Sequence, residues 1–213
     1  AIMMTTVEVR WFFAGEIPAP VRAWYRIGDR TPERQPVRVD HYLPVLGTDG
    51  LGLKYREGRI EAKQRYERYA EYKLVDGAAG NVELWRKWSF ALAGDRVADQ
   101  FEDLDAWVAV QKERFIRNYE VTSSGALVAI AADTTPHLGC SVELSRVAAR
   151  ASVWWTLAFE AVGVEEALMT TLERVTRHVL RDVEDFGLTA ATSYGYPQWL
   201  LMLEGHAAAP RSA

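Results

Sequence analysis

The run LGLKYREGRIEAKQR, Leu51 to Arg65, constrains the fold more than any other stretch of the chain. Apolar and charged residues alternate on both sides of a Glu57-Gly58 pair. Successive side chains of a strand point to opposite faces, so this pattern reads as two half-buried strands joined by a tight turn. Lys54 and Arg56 share a face with Leu53 and Tyr55 opposite; Glu61, Lys63 and Arg65 line up with Ile60 and Ala62 opposite. A sheet face crowded with cations needs water or an anion against it.

The same register recurs along the chain. TTVEVRWFF puts Thr6, Glu8 and Arg10 on one face and Val7, Val9 and Trp11 on the other. RVDHYLP aligns Arg38, Asp40 and Tyr42. NVELWRKWSF separates Glu83 and Lys87 from Val82, Leu84, Trp88 and Phe90. CSVELSRV sets Ser141, Glu143 and Ser145 against Cys140, Val142 and Leu144, and WWTLAFEAVG aligns Thr156, Ala158 and Glu160. One apolar and one polar face is the ordinary signature of an antiparallel sheet. Here the polar face is mostly Glu, Lys and Arg, and closing the sheet turns that face into the lining of a tunnel.

Three segments carry helical spacing. Ile17, Val21, Trp24 and Tyr25 form one face behind Pro18 and Pro20. Asp103 to Tyr119 places Leu104, Trp107, Val108 and Phe115 on one side, with Lys112, Glu113 and Arg114 elsewhere. In Val164 to Phe186, Leu168, Leu172, Val175, Val179, Val183 and Phe186 recur at three- and four-residue steps before a stop at Gly187. Helices of this kind cover the apolar outer side of a sheet and leave its charged face inward. The sequence therefore predicts an α+β fold, one domain over residues 1–205 with a flexible tail over 206–213. Asp29 to Gln35 and Asp76 to Asn81 read as loops.

Composition narrows the function. A formal charge of −4 over 213 residues argues against a whole-surface nucleic-acid binder but leaves room for a local cationic cavity. The single cysteine, Cys140, excludes an internal disulfide and falls on an apolar strand face; with no secretory signal, a cytoplasmic location is expected. No apolar run approaches the roughly 20 residues of a membrane-spanning helix. His41, His137, His178 and His206 show no zinc spacing, and no Gly-rich phosphate loop or GxSxG elbow is present. The eight tryptophans sit among apolar neighbours and read as packing residues.

In order along the chain, these segments resemble the CYTH superfamily, the triphosphate tunnel metalloenzymes. VEVRW resembles the family's ExExK strand, VDHYLP its D-x-Y-[YF] strand and LGLKYREG its L-[RK]-[LI]-R strand. The run around Lys63 resembles the next basic strand. VELSRV resembles E-[LI]-D-R, LAFEAVG the later Glu-bearing strand, and SYGYPQWLL the C-terminal S-Y-x-x-x-L element. The match runs from about Thr6 to Leu201. Three positions depart from it: Thr6 replaces the first Glu of ExExK, Arg10 its Lys, and Ser145 the Asp of E-x-D.

The resemblance implies an antiparallel β-barrel or tunnel with helices outside, and a divalent-metal-dependent hydrolase of a triphosphate-containing substrate: inorganic triphosphate, thiamine triphosphate or a nucleotide. It assigns phosphate binding to Arg10, Lys54, Arg56, Lys63, Arg65 and Lys87. It assigns Mg²⁺ or Mn²⁺ coordination and catalysis to Glu8, Glu143 and Glu160, which otherwise read as salt-bridge partners. Arg38, Asp40 and Tyr42 read as a hydrogen-bonded set near the mouth, with Glu61 and Glu83 as weaker site candidates. The expected partner is a small phosphate anion, without nucleic acid or membrane; oligomeric state is open. With two carboxylates replaced, a binding protein for polyphosphate or organic phosphates is the alternative, and a class IV-type adenylyl cyclase a further one.

Overall fold

The structure, a computed structural model, describes residues 2–91, 106–183 and 185–205. Ten strands alternate with a few helices: β1 (Ile2–Ala14), α1 (Ala19–Arg26), β2 (Glu33–Arg34), β3 (Arg38–Leu43), β4 (Leu51–Arg56), β5 (Arg59–Val75), β6 (Ala78–Ala91), β7 (Val108–Val121), β8 (Leu127–Ile130), β9 (Gly139–Ala149), β10 (Ser152–Val162), α2 (Leu168–Val179) and α3 (Tyr196–Leu203). All pairings are antiparallel, in the order β7-β3-β4-β5-β6-β1-β10-β9, and β9 pairs back onto β7. The sheet is thus a closed eight-stranded barrel, with β2 and β8 as short additions along β7.

Local chemistry sets several joints. Glu57 and Gly58 both take positive φ, 50° and 73°, the type I′ geometry that carries β4 directly into β5. Pairing in β5–β6 slips between Arg65 and Glu67, and this bulge brings Arg65 and Arg68 to the same side. Gly139, where β9 leaves toward β7, has no room for a side chain: a Cβ would lie 1.9 Å from the Tyr119 carbonyl oxygen.

The main core lies outside the barrel wall. Val7, Val9 and Trp11 of β1, Val142 and Leu144 of β9, and Leu157 and Phe159 of β10 pack beneath Val21 and Tyr25 of α1 and Leu168, Leu172 and Val175 of α2. Tyr25 pins α1 to the wall by donating its hydroxyl to the Val142 carbonyl at 2.7 Å. The period-two register is therefore confirmed, apolar out and charged in.

Three expectations are corrected. The stretch expected as a helix from Asp103 to Tyr119 is strand β7 from Val108 onward, and residues 103–105 lie outside the described residues. Its Val, Phe, Ile and Tyr content suits a pleated surface, and both of its edges are taken by barrel partners. The α-helix expected over Val164 to Phe186 is confined to α2, preceded by a 3-10 turn at Glu165–Ala167. The loop at Asp76 shrinks to a two-residue turn, because β6 starts at Ala78. The tail 206–213 lies outside the described residues.

Of the three α-helices described, α1 and α2 sit outside, as expected, whereas α3 packs on inward-facing side chains. Phe12 lies between Tyr194 (ring centroids 5.3 Å apart) and Trp199 (5.1 Å), joined by Val108, Val110, Val147 and Leu200. This aromatic cluster fills one end of the barrel, and the remaining interior is charged. Among the described residues, no helix is long and apolar enough to cross a membrane.

Candidate functional site

Each of the eight barrel strands contributes side chains to one chamber of about 450 Å³. Lining it are Glu8 and Arg10 from β1, Arg38 and Tyr42 from β3, Lys54 and Arg56 from β4, and Glu61 and Lys63 from β5. Glu83, Trp85 and Lys87 come from β6, Lys112 and Arg114 from β7, Glu143 from β9 and Glu160 from β10, with Tyr196 at the floor. Eight cationic side chains face five glutamates, leaving an excess of positive charge behind low-dielectric walls.

Ion pairing divides the lining into three groups. At the floor, Glu143 takes Arg10 and Arg114, each at 3.4 Å. Arg10 also donates to the Thr156 hydroxyl at 2.7 Å and lies over the Tyr196 ring. Burial pushes the Glu143 carboxyl up, but Arg10, Lys112 and Arg114 outweigh it and hold the group at about 2. Nearby, Asp40 is fully buried and pairs with Lys112 at 3.1 Å and Arg38 at 3.1 Å. Its burial is likewise overcome by Lys112, Lys54 and Arg38, giving about 2.

Lys112 has the opposite balance. Burial lowers its ammonium well below the ordinary lysine value, against Asp40's attraction and with Lys54 adding repulsion. It donates to the Tyr42 hydroxyl at 2.6 Å and rests 3.8 Å from the Tyr196 ring centroid. Lys54, 2.7 Å from Glu61, is also lowered by burial despite that partner.

The third group runs across the wall. Glu83, Glu8 and Glu160 are direct partners on β6, β1 and β10, forming one row of carboxylates. Lys63 bonds Glu8 and lies 3.8 Å from Glu160, while Arg65 takes Glu83 at 2.8 Å. Directly across β5–β6, Lys63 faces Lys87. Like charges placed directly opposite repel. Among the described residues Lys87 has no ion-pair partner within 4.0 Å, and the buried Nε of Arg114 and hydroxyl of Tyr196 have no hydrogen-bond partner. The chamber therefore offers donors without acceptors.

Most of the site residues expected from sequence converge here: Glu8, Arg10, Lys54, Arg56, Lys63, Lys87, Glu143 and Glu160 all line the chamber. Arg65 is not part of the lining. It donates to Asp49 at 2.5 Å and to Glu83, and stacks near Trp85. Arg38, expected to serve a structural set, lines the chamber as well as bonding Asp40. Lys112 and Arg114 were missed because their stretch reads as a helix; the alternation Val108, Val110, Lys112, Arg114 is the signal that places them inward.

Of the three residues expected to hold Mg²⁺ or Mn²⁺, Glu8 and Glu160 stand directly opposite across β1 and β10, and Glu143 lies farther along the wall. Glu143 pairs with Ala158 on β10, two residues along that strand from Glu160, a separation of roughly 7 Å. Its charge is committed to arginines, and those of Glu8 and Glu160 to Lys63. Among the described residues no group of three His, Cys, Asp or Glu side chains is placed to hold a metal ion. The oxygen chemistry suits such an ion; the side-chain arrangement does not.

No family model and no curated protein matches this sequence. Among solved structures, the PH1819 protein from Pyrococcus Horikoshii OT3 is similar with a TM-score of 0.44 and 15% identity, over 93% of this chain and 99% of that one.

Proposed function

We propose that the barrel captures a compact polyanion, a triphosphate-bearing or similar phosphate compound, in its interior. One observation carries this reading: a partly open chamber with cations from separate strands in excess over its carboxylates, including Lys87, which makes no ion pair among the described residues, lies near Glu61 and is set against Lys63. Several charge-assisted bonds from different directions suit an anion that carries its charge on successive oxygens, and the arginines can bind it as planar forks. A ligand at Lys63 and Lys87 also removes a repulsion that the free protein carries. The resemblance to the CYTH superfamily supports the same ligand class, and its replaced carboxylates, Thr6 and Ser145, support capture over cleavage.

A second reading, hydrolysis of the captured triphosphate, is favoured by the in-register row Glu83–Glu8–Glu160. It requires that row to be released from its lysine and arginine partners.

Calorimetric titration with tripolyphosphate in EDTA tests capture, using Lys87→Met as the variant. Removing Lys87 orphans no paired carboxylate, so the expected loss is about tenfold or more in affinity, with an unchanged or higher melting temperature. Absence of tripolyphosphate binding at millimolar concentration, or equal affinity in native and variant protein, would contradict the proposal. Phosphate release stimulated by Mg²⁺ or Mn²⁺, assayed separately without EDTA, would support the second reading.

A further inference from the structure

The row Glu83–Glu8–Glu160 poses an electrostatic problem that the barrel has to solve whether or not a ligand is bound. Three carboxylates on adjacent strands, directly opposite one another, repel unless a cation lies on them. Carboxylate oxygens are donors that suit a divalent cation, but among the described residues no three of these side chains are placed to ligate one together. What lies on them instead is the side chain of Lys63, bonded to Glu8 and 3.8 Å from Glu160, while Arg65 and Arg68 approach Glu83 at 2.8 and 3.9 Å.

The surroundings adapt to that lysine. The Thr6 hydroxyl donates to Glu8 at 2.7 Å, so a neutral donor stands where a further carboxylate would add charge. Burial opposes the Lys63 ammonium, but Glu160 and Glu8 raise its pKa above the ordinary lysine value and keep it charged. An ammonium has three donors. With one on Glu8 and one directed to Glu160, the third is left for the chamber, which Lys63 lines.

We infer that Lys63 is a built-in counterion that takes the place of a divalent cation at the Glu8–Glu160 end of the row, so that polyanion capture needs no metal. The ammonium bridges protein carboxylates and ligand oxygens, the task a bound divalent ion performs in a site made of carboxylates. This rests on the capture reading only for its consequence; the occupancy of the row is testable without any phosphate.

The test is titration with Mn²⁺ alone, followed by calorimetry and by the electron paramagnetic resonance signal of free Mn²⁺, on native protein, Lys63→Met and Lys63→Met/Glu8→Gln. The native chain is expected to take up no stoichiometric Mn²⁺ at sub-millimolar concentration. Lys63→Met should bind one Mn²⁺ at least tenfold more tightly than the native chain, and the added Glu8→Gln should abolish that gain. Lys63→Gln, which keeps a donor for Glu8, replaces the methionine variant if the latter does not fold. Stoichiometric Mn²⁺ binding by the native chain that is lost in Glu8→Gln would overturn the inference, as would a folded Lys63 variant that gains no affinity. Because no polyphosphate enters these samples, the outcome is separate from the capture experiment.

Discussion

At the scale of single residues, two chamber lysines hold their protons less tightly than an ordinary lysine. Lys112 and Lys54 both lie below the ordinary lysine value because burial and neighbouring cations disfavour their charged forms. A polyanion beside them favours the charged forms and raises both values. Between the lowered value of the free protein and the raised value of the complex, the complex holds more protons. Binding therefore takes up protons, and affinity falls as pH rises through that window. Tripolyphosphate titrations in two buffers of different ionisation enthalpy, followed as pH rises toward the ordinary lysine value and corrected for the ligand's own last ionisation, should report proton uptake by the protein, with binding weakening toward the top of that range. No protein uptake after that correction at any pH in the range would mean that the ligand does not approach these lysines.

At the scale of elements, the closure of the barrel depends on how near β9 comes to β7. At Gly139 a Cβ would meet the Tyr119 carbonyl at 1.9 Å and the Pro136 ring at 2.7 Å, and backbone cannot swing aside as a flexible side chain can. Gly139→Ala should destabilise the fold by about 3 kcal/mol, measured by urea denaturation, because it forces apart the pairing that completes the ring. Unchanged stability would mean that β9 and β7 do not approach so closely. The elements differ in how plainly the sequence shows them. β1, β4, β5, β9 and β10 are legible because one face is apolar over several consecutive repeats and a period of two admits a single register. β7 is not, since its apolar residues also satisfy helical spacing and only its two barrel neighbours decide between them. The C-terminal helix was likewise hidden. Trp199 reads only as a packing residue, and the space that it fills with Tyr196 and Leu200 exists only once the barrel has closed. Arg65 shares the inward register of Lys63, but the bulge beyond it and the acid at Asp49 draw it out of the chamber.

At the scale of the whole molecule, overall charge and local field have opposite signs. The chain carries a formal −4, yet its barrel interior has a cationic excess. The barrel makes this possible by sending apolar side chains outward under α1 and α2 and charged ones inward, where α3 closes one end. The inward carboxylates keep the free interior folded by pairing with most of the cations, and the surplus is left for a ligand. The most direct measurement of this account is a crystal structure of the protein grown in EDTA with tripolyphosphate. The account predicts phosphate oxygens inside the barrel within hydrogen-bond distance of Lys63, Lys87 and Arg114, with Lys63 still contacting Glu8. Tripolyphosphate density found only on the outer surface, with the chamber side chains paired as in the free protein, would contradict it.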